Sequence, residues 1–176
     1  MLDSERLILK PYLPRDLLAL LESTQEFESS FGACAAEGFR DFFVSGDVSP
    51  DWLARLRSAN SIDDPWTCGF AVVHKERGLV IGTVGFGGTD DESGMVEISY
   101  AIVPAFERQG YATEAAELGT AFAFADERVH TIRAHTLVGQ SPSTSILKNC
   151  RFDFMGEVES PEDGVVWRWE RRRVLG

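Results

Sequence analysis

The run Val96-Glu97-Ile98-Ser99-Tyr100-Ala101-Ile102-Val103-Pro104-Ala105-Phe106-Glu107-Arg108-Gln109-Gly110-Tyr111-Ala112-Thr113-Glu114-Ala115 decides how this chain reads. A strand-like segment ends at Pro104, and a short turn feeds directly into a long helix. Gly110 stands where the backbone must come close to something, and Ala112 is small. The first turn of the helix presents N–H groups without intrahelical partners, at the positive end of its dipole. Such a turn can hold a diphosphate without basic side chains. On the residues alone, a glycine tolerated at a helix start reads equally well.

Outward from this run, Met95 to Val103 reads as a strand and Glu107 to Glu127 as the helix, with Tyr111, Ala115, Leu118 and Phe122 along one stripe. Before it, Thr67 to His74 and Leu79 to Phe86 are β-rich and joined by the turn Lys75-Glu76-Arg77-Gly78. After it come a strand at Thr131 to Val138, a short helix at Ser141 to Asn149, and strands at Phe152 to Val158 and Val165 to Arg171. Near the start, Ser4 to Lys10 reads as a strand, and Pro14 opens a helix. Gln25 to Asp47 reads as short helical pieces and loops, and Ser49-Pro50 starts another helix. This order favours a mixed sheet with helices on its faces. The glycine run Gly85-Phe86-Gly87-Gly88, followed by the polar loop to Gly94, precedes a strand rather than a helix, so it reads as a bulge or strand end and not a dinucleotide fingerprint. No phosphate loop of the GxxxxGK[ST] type is present.

The chain of 176 residues is expected to form one domain over residues 1–176, with the 44% apolar and 26% charged composition of a soluble globular protein. No apolar run approaches the roughly 20 residues that span a bilayer, so no membrane partner is expected. The opening Met1 to Arg6 lacks the flank and apolar stretch of a signal peptide, which points to a cytoplasmic protein. A net charge of −11 argues against nucleic acid; it would favour approach of a cationic substrate, and reads equally well as acidity that only maintains solubility. Cys34, Cys68 and Cys150 form no CxxC pair, and His74, His130 and His135 lack ligand spacing, so neither a disulfide framework nor a metal is expected. Each histidine reads as a surface or strand residue. The cluster Arg168 with Arg171-Arg172-Arg173 reads as the solvated end of a strand.

The segments Glu97-Ile98-Ser99-Tyr100 and Arg108-Gln109-Gly110-Tyr111-Ala112-Thr113-Glu114-Ala115 resemble the central motif of the GNAT superfamily of N-acetyltransferases. The resemblance is closest to the branch containing ribosomal-protein N-terminal alanine acetyltransferases. Ser4-Glu5-Arg6-Leu7-Ile8-Leu9 resembles that branch's first strand. Ile132 to Leu137, and Ser143 to Phe152, are similar to its later segments, in the same order. The resemblance implies an α/β (α+β) fold with a mixed, mostly antiparallel sheet of about seven strands and helices on both faces. It implies transfer of an acetyl group from acetyl-CoA, as co-substrate without a metal, to a primary amine on a small molecule or a protein N-terminus. The amine attacks directly in a ternary complex. A catalytically degenerate acyl-CoA-binding sensor or partner module is the alternative, and a homodimer through the C-terminal strands follows by analogy.

In this family the strand before the helix splays from its neighbour and pairs with the pantetheine arm, here through Ala101, Ile102 and Val103. The turn Arg108, Gln109, Gly110, Tyr111, Ala112 and Thr113 is expected to wrap the pyrophosphate. Ser143 matches a serine near the sulfur end, and Lys148 a lysine of the same motif. Three positions depart from the pattern: Glu107 replaces a Gln or Arg, Gln140-Ser141 stand near an absent asparagine, with Gln140 able to supply a similar amide, and Arg151 replaces a glycine before Phe152.

Acetyl transfer needs a base for the ammonium, a donor for the oxyanion and a proton for the thiolate. Glu97 is the candidate base, reading as readily as an exposed strand carboxylate or a structural hydrogen-bond acceptor, with Glu157 and Glu159 as weaker competitors. A backbone N–H near Val103 is the expected oxyanion donor, and Ser143, or else Tyr111, the proton source. Cys150 lacks a paired base and reads as a small buried residue. Trp167 and Trp169 share a strand face and read as core or dimer packing. Phe27 to Val48, with Glu28, Glu37, Asp41 and Asp47, is the expected acceptor wall, its acids drawing in a cationic amine.

Overall fold

Prolines and polar caps punctuate the first part of the chain as the sequence suggests. The structure, a computed structural model, describes residues 2–46, 48–59, 64–88 and 93–174. Strands β1 (Leu2–Asp3) and β2 (Leu7–Pro11) are separated by a turn in which the Ser4 N–H and hydroxyl both reach the Leu7 carbonyl. The strand expected from Ser4 to Lys10 therefore begins at Leu7. Helices α1 (Pro14–Glu22) and α2 (Thr24–Phe31) follow, then β3 (Cys34–Ala35) and α3 (Asp41–Val44). Helix α4 (Pro50–Ser58) starts with Ser49 accepting the Trp52 N–H and Pro50 in the first turn. One helix was not anticipated: α5 (Pro65–Cys68) occupies the beginning of the segment read as a strand from Thr67. Asp64 accepts the Trp66 N–H, so a capping acid followed by proline was its available signal.

The sheet continues with β4 (Phe70–His74), β5 (Leu79–Gly87) and β6 (Met95–Ile102). A 3-10 turn at Pro104–Phe106 leads to α6 (Tyr111–Ala125), then β7 (Thr131–Leu137), α7 (Pro142–Asn149), β8 (Asp153–Ser160) and β9 (Gly164–Arg172). Among the described residues the sheet has nine strands where about seven were expected, because the two-residue β1 and β3 join it. The main path runs β1-β2-β4-β5-β6-β7-β9-β8, with β3 beside β5. Most pairs are antiparallel, and β3–β5 and β6–β7 are parallel. Gly85 and Gly87 keep regular register with Ser99 and Glu97, so the glycine run is a strand end without a bulge. The loop residues 89–92 lie outside the described residues.

Helices cover both faces. On one, α6 packs so closely that a Cβ on Gly119 would stand 2.8 Å from Val84 Cγ1 and 3.0 Å from Ile98 Cδ1. On the other, the Tyr12 hydroxyl reaches Thr83 Oγ1 at 3.3 Å, and its ring packs among Phe27, Phe31 and Phe43 of α2 and α3. In the basic C-terminal cluster Arg172 is solvent-exposed, whereas Arg168, Arg171 and Arg173 are engaged by partners. Arg171 binds Glu117 of α6 and the Cys150 carbonyl, Arg168 pairs with buried Glu170, and Arg173 donates to the Asp126 and Val129 carbonyls beyond α6. Trp169 is buried in the core with its Nε1–H on Thr136, and half-exposed Phe154 packs against it and against partly buried Trp167. Among the described residues no helix is long and apolar enough to cross a membrane.

Candidate active site

The parallel pairing of β6 with β7 lasts only from Met95↔Thr131 to Glu97↔Arg133. Beyond it, β6 stays on β5 as far as Ile102↔Gly82, while β7 stays on β9 as far as Leu137↔Val166. Two strands held by different neighbours must part, and a wedge opens after Glu97. The Val103 N–H donates to the Ile81 carbonyl at 2.9 Å, which sets the alternation along β6. Main-chain groups of Ala101 and Val103 therefore face β5, and those of Ile98, Tyr100 and Ile102 face the wedge. Of the three residues expected to pair with a pantetheine arm, Ile102 is the one so directed. The oxyanion donor expected near Val103 is not Val103's own N–H.

At the end of β6 the helix starts later than its sequence periodicity suggested, at Tyr111 rather than Glu107. Arg108 and Gly110 both have positive φ, 58° and 84°, and break the helical path. The first intrahelical bond runs from the Glu114 N–H to the Gly110 carbonyl, which leaves the N–H groups of Tyr111, Ala112 and Thr113 without helical partners. No side chain caps this end. Alternating right- and left-handed residues ahead of a helix turn successive N–H groups into one concavity, an anion-holding shape. The residues present thus fit a diphosphate.

This turn is fastened from afar. Glu114 accepts the Ser4 hydroxyl and the Arg6 N–H on one oxygen, and Arg6 Nε at 2.7 Å on the other. Arg6 also donates to the Gln109 carbonyl at 2.8 Å and lies 4.4 Å above the Tyr111 ring. Burial alone would raise the Glu114 carboxyl, but the bonds from Ser4 and Arg6 hold it below the usual range. Tyr111 is buried with its hydroxyl 2.8 Å from His74 Nε2, which makes it a packing residue and removes it as a proton source for the thiolate.

On the β7 side, α7 follows the end of β7 after a short turn. Ser141 and Thr144 form its capping box, and Gln140, Ser143 and Lys148 are exposed. Arg151 ends α7 at φ 61°, with its own N–H on the Lys148 carbonyl and the Phe152 N–H on the Leu147 carbonyl. The chain keeps the turn that a glycine would make, in the conformation L residues rarely adopt. Cys150 is buried against the Thr113 carbonyl, and burial with nearby Glu117 pushes its thiol up to about 12. It is unsuited to be a nucleophile.

At the apex of the wedge, Glu97 Oε1 lies 2.9 Å from His135 Nδ1. From sequence alone His135 reads as a surface or strand residue. With the carboxylate ionised, the imidazole N–H is the donor. Glu157 stands on β8, three strands from β6, with its carboxylate on Trp167 Nε1, and Glu159 lies further along the same strand. These carboxylates are not brought to the wedge.

Beside Glu97, on the sheet face away from α6, lies a cavity of about 580 Å³. Ser99, Gly85 and Gly87 form part of its floor, and Phe43, Trp52 and Trp66 part of its wall. None of the anticipated acids among the described residues lines it. Glu28 binds the Ala35 N–H, Glu37 and Asp41 are exposed outside the lining, and Asp47 lies outside the described residues. The segment Phe27 to Val48 supplies Phe42, Phe43 and Val48 to the wall instead. No group of three or more potential metal ligands is found among the described residues.

The family described as "Acetyltransferase (GNAT) domain" matches residues 6–153. An uncharacterized N-acetyltransferase of Bacillus subtilis, YjdG, is 38% identical over 94 residues, 53% of this chain and 53% of its own length. The uncharacterized N-acetyltransferase p20 of Bacillus licheniformis is 31% identical over 87 residues, 49% of each chain. The chain thus matches about half the length of these curated relatives. Among solved structures, the ribosomal-protein-S5-alanine acetyltransferase of Vibrio fischeri superimposes with a TM-score of 0.66 at 15% identity, covering 97% of this chain and 94% of that one. A GNAT-family acetyltransferase of Bacillus anthracis does so at 0.63 and 18% identity, over 97% and 96%. Identities this low show a shared fold.

Proposed function

This chain belongs to the GNAT family of acetyltransferases, and on that premise we propose that it moves an acetyl group from acetyl-CoA to a primary amine, on a small molecule or a protein N-terminus. The observation that carries the proposal is the coincidence of three features at one end of β6: the wedge, the uncapped start of α6, and the Glu97–His135 pair. When bound, the co-substrate supplies an activated thioester. The N–H groups of Arg108 to Thr113 hold its diphosphate, and the wedge-facing main chain of Tyr100 and Ile102 holds the arm. Gln140, Ser143 and Lys148 approach from the β7 side. We assign the whole of residues 1–176 to one such domain.

Glu97 takes the ammonium proton directly or through one water, and His135 fixes its orientation by donating from Nδ1. A wedge-facing amide at Tyr100 or Ile102 donates to the oxyanion, in place of the Val103 N–H. The Ser143 hydroxyl returns a proton to the departing sulfur. The paired carboxylate favours turnover over a binding module without catalysis.

The test is Glu97→Gln, assayed by thiol release and by coenzyme A titration. Expected is a fall in kcat of about 100-fold or more with coenzyme A affinity unchanged. His135→Gln, which keeps a donor toward Glu97, should retain more activity than His135→Ala. Wild-type turnover by Glu97→Gln at every pH would remove Glu97 as the base.

A further inference from the structure

On the β7 side of Glu97 stands an arginine whose donors are largely unspent. Arg133 is the register partner of Glu97 in the short parallel pair, so their Cα atoms lie about 5 Å apart. Glu97 reaches His135 and Arg133 reaches Met95, so these four side chains rise from one face of the sheet, the face of Ser99 and the cavity. Of the five N–H donors of a guanidinium, Arg133 directs one at the Met95 sulfur, a weak acceptor, and its buried Nε–H has no partner among the described residues. Glu170, its register partner on β9, is engaged elsewhere: it accepts Arg168 Nε at 2.8 Å and stands 3.8 Å from Arg172. Buried donors without acceptors are the exception in folded chains, and a carboxylate is the ligand whose two oxygens match an arginine fork.

We infer that the acceptor is a free amino acid, its carboxylate held by Arg133 while its amine meets Glu97. The inference rests on the acetyl-transfer reading and narrows it to a small molecule, since at a protein N-terminus the first carboxyl group is an amide. Three directions around Glu97 suit the three groups on an α-carbon. The ammonium lies at Glu97 itself, and the carboxylate turns toward β7 and Arg133. The side chain turns the other way, over Gly87, which is opposite Glu97 in the β5–β6 register and lines the cavity. A Cβ built on Gly87 meets nothing within 4 Å, so the way into the cavity is open. The ammonium and carboxylate of one amino acid lie about 3 Å apart, and hydrogen bonds of about 2.8 Å at each end let them bridge side chains rooted on neighbouring strands.

The experiment measures acetylation by the full chain of glycine, alanine, methionine and phenylalanine, each against its own amide. For the best substrate the free acid should exceed its amide at least tenfold in kcat/KM. An amide is the less basic amine and leaves more neutral nitrogen at a fixed pH, so basicity alone does not produce that order. Arg133→Gln should bring the ratio to within threefold of parity, with coenzyme A affinity and Tm confirming a folded protein, and Arg133→Lys should keep part of the preference. No free acid outpacing its amide, or a preference that survives in folded Arg133→Gln, overturns the inference while turnover of other amines leaves acetyl transfer standing. Coenzyme A binding with no amine or peptide acetylated overturns the acetyl-transfer reading itself, and with it the inference.

Discussion

Replacing Glu114 by alanine should loosen the chain's first turn and the start of α6 together, because one carboxylate joins them. Glu114 is 17% exposed and its partner Arg6 40%, so water can recover part of what the guanidinium loses, but little for the Arg6 main-chain N–H. Hydrogen bonds to a charged group contribute about 1.5–3 kcal/mol, and solvation of half-exposed Arg6 brings the net cost of the variant to about 2–3 kcal/mol. For a chain of this size that is a fall in Tm of about 5–10 °C. Thermal and urea unfolding check the number. The Gln109 carbonyl is held by the same Arg6, so the variant should also raise the KM for acetyl-CoA while kcat at saturation changes less. The pH dependence has a definite sign. The folded-state carboxyl lies below its usual value, so its contribution is complete above the unfolded value and is lost as pH falls through the folded one. The gap between wild type and Glu114→Gln should therefore narrow below about pH 4.3. An unchanged Tm and an unchanged acetyl-CoA KM in Glu114→Ala would refute the clamp.

Arg151→Gly should stabilise the protein by about 0.5–1 kcal/mol, since an L residue in the left-handed region costs about 1–2 kcal/mol and glycine's greater freedom when unfolded offsets part of the gain. Thermal unfolding should show a rise of about 1–4 °C, absent in Arg151→Ala, and a fall would contradict the backbone assignment. Of the three thiols, exposed Cys34 should react rapidly with a disulfide reagent while buried Cys68 and Cys150 wait for unfolding. Rapid modification of Cys150, whose thiol is pushed up to about 12, would contradict its burial.

Local signals are legible in the sequence. Ser49-Pro50 starts a helix, the Lys75–Gly78 turn joins two strands, and the stretch from Glu97 to Ala115 leads a strand into a helix, all as their residue types require. What escaped was non-local or masked by a competing preference. His135 meets Glu97 from 38 residues away, through a parallel pairing that no short-range pattern encodes. The helix periodicity extends back to Glu107, but positive φ at Arg108 and Gly110 defers the helix to Tyr111. The acids of Phe27 to Val48 suggested an electrostatic wall, yet the backbone uses Glu28 as an acceptor and sends phenylalanines to the cavity. The arginines after Trp167 resemble a solvated tail because Glu117 and the Cys150 and Asp126 carbonyls, which hold Arg171 and Arg173, lie far away in the chain on or beside α6 and at the end of α7. Arg6 and Glu114 were each visible in a matched segment, but not that they hold one another.

Isothermal titration of the intact protein with coenzyme A weighs most directly on the idea that uncapped amides and a parted strand pair receive this molecule. Saturable one-to-one heat is predicted, weaker in Glu114→Ala than in wild type. A flat titration with properly folded protein would contradict it.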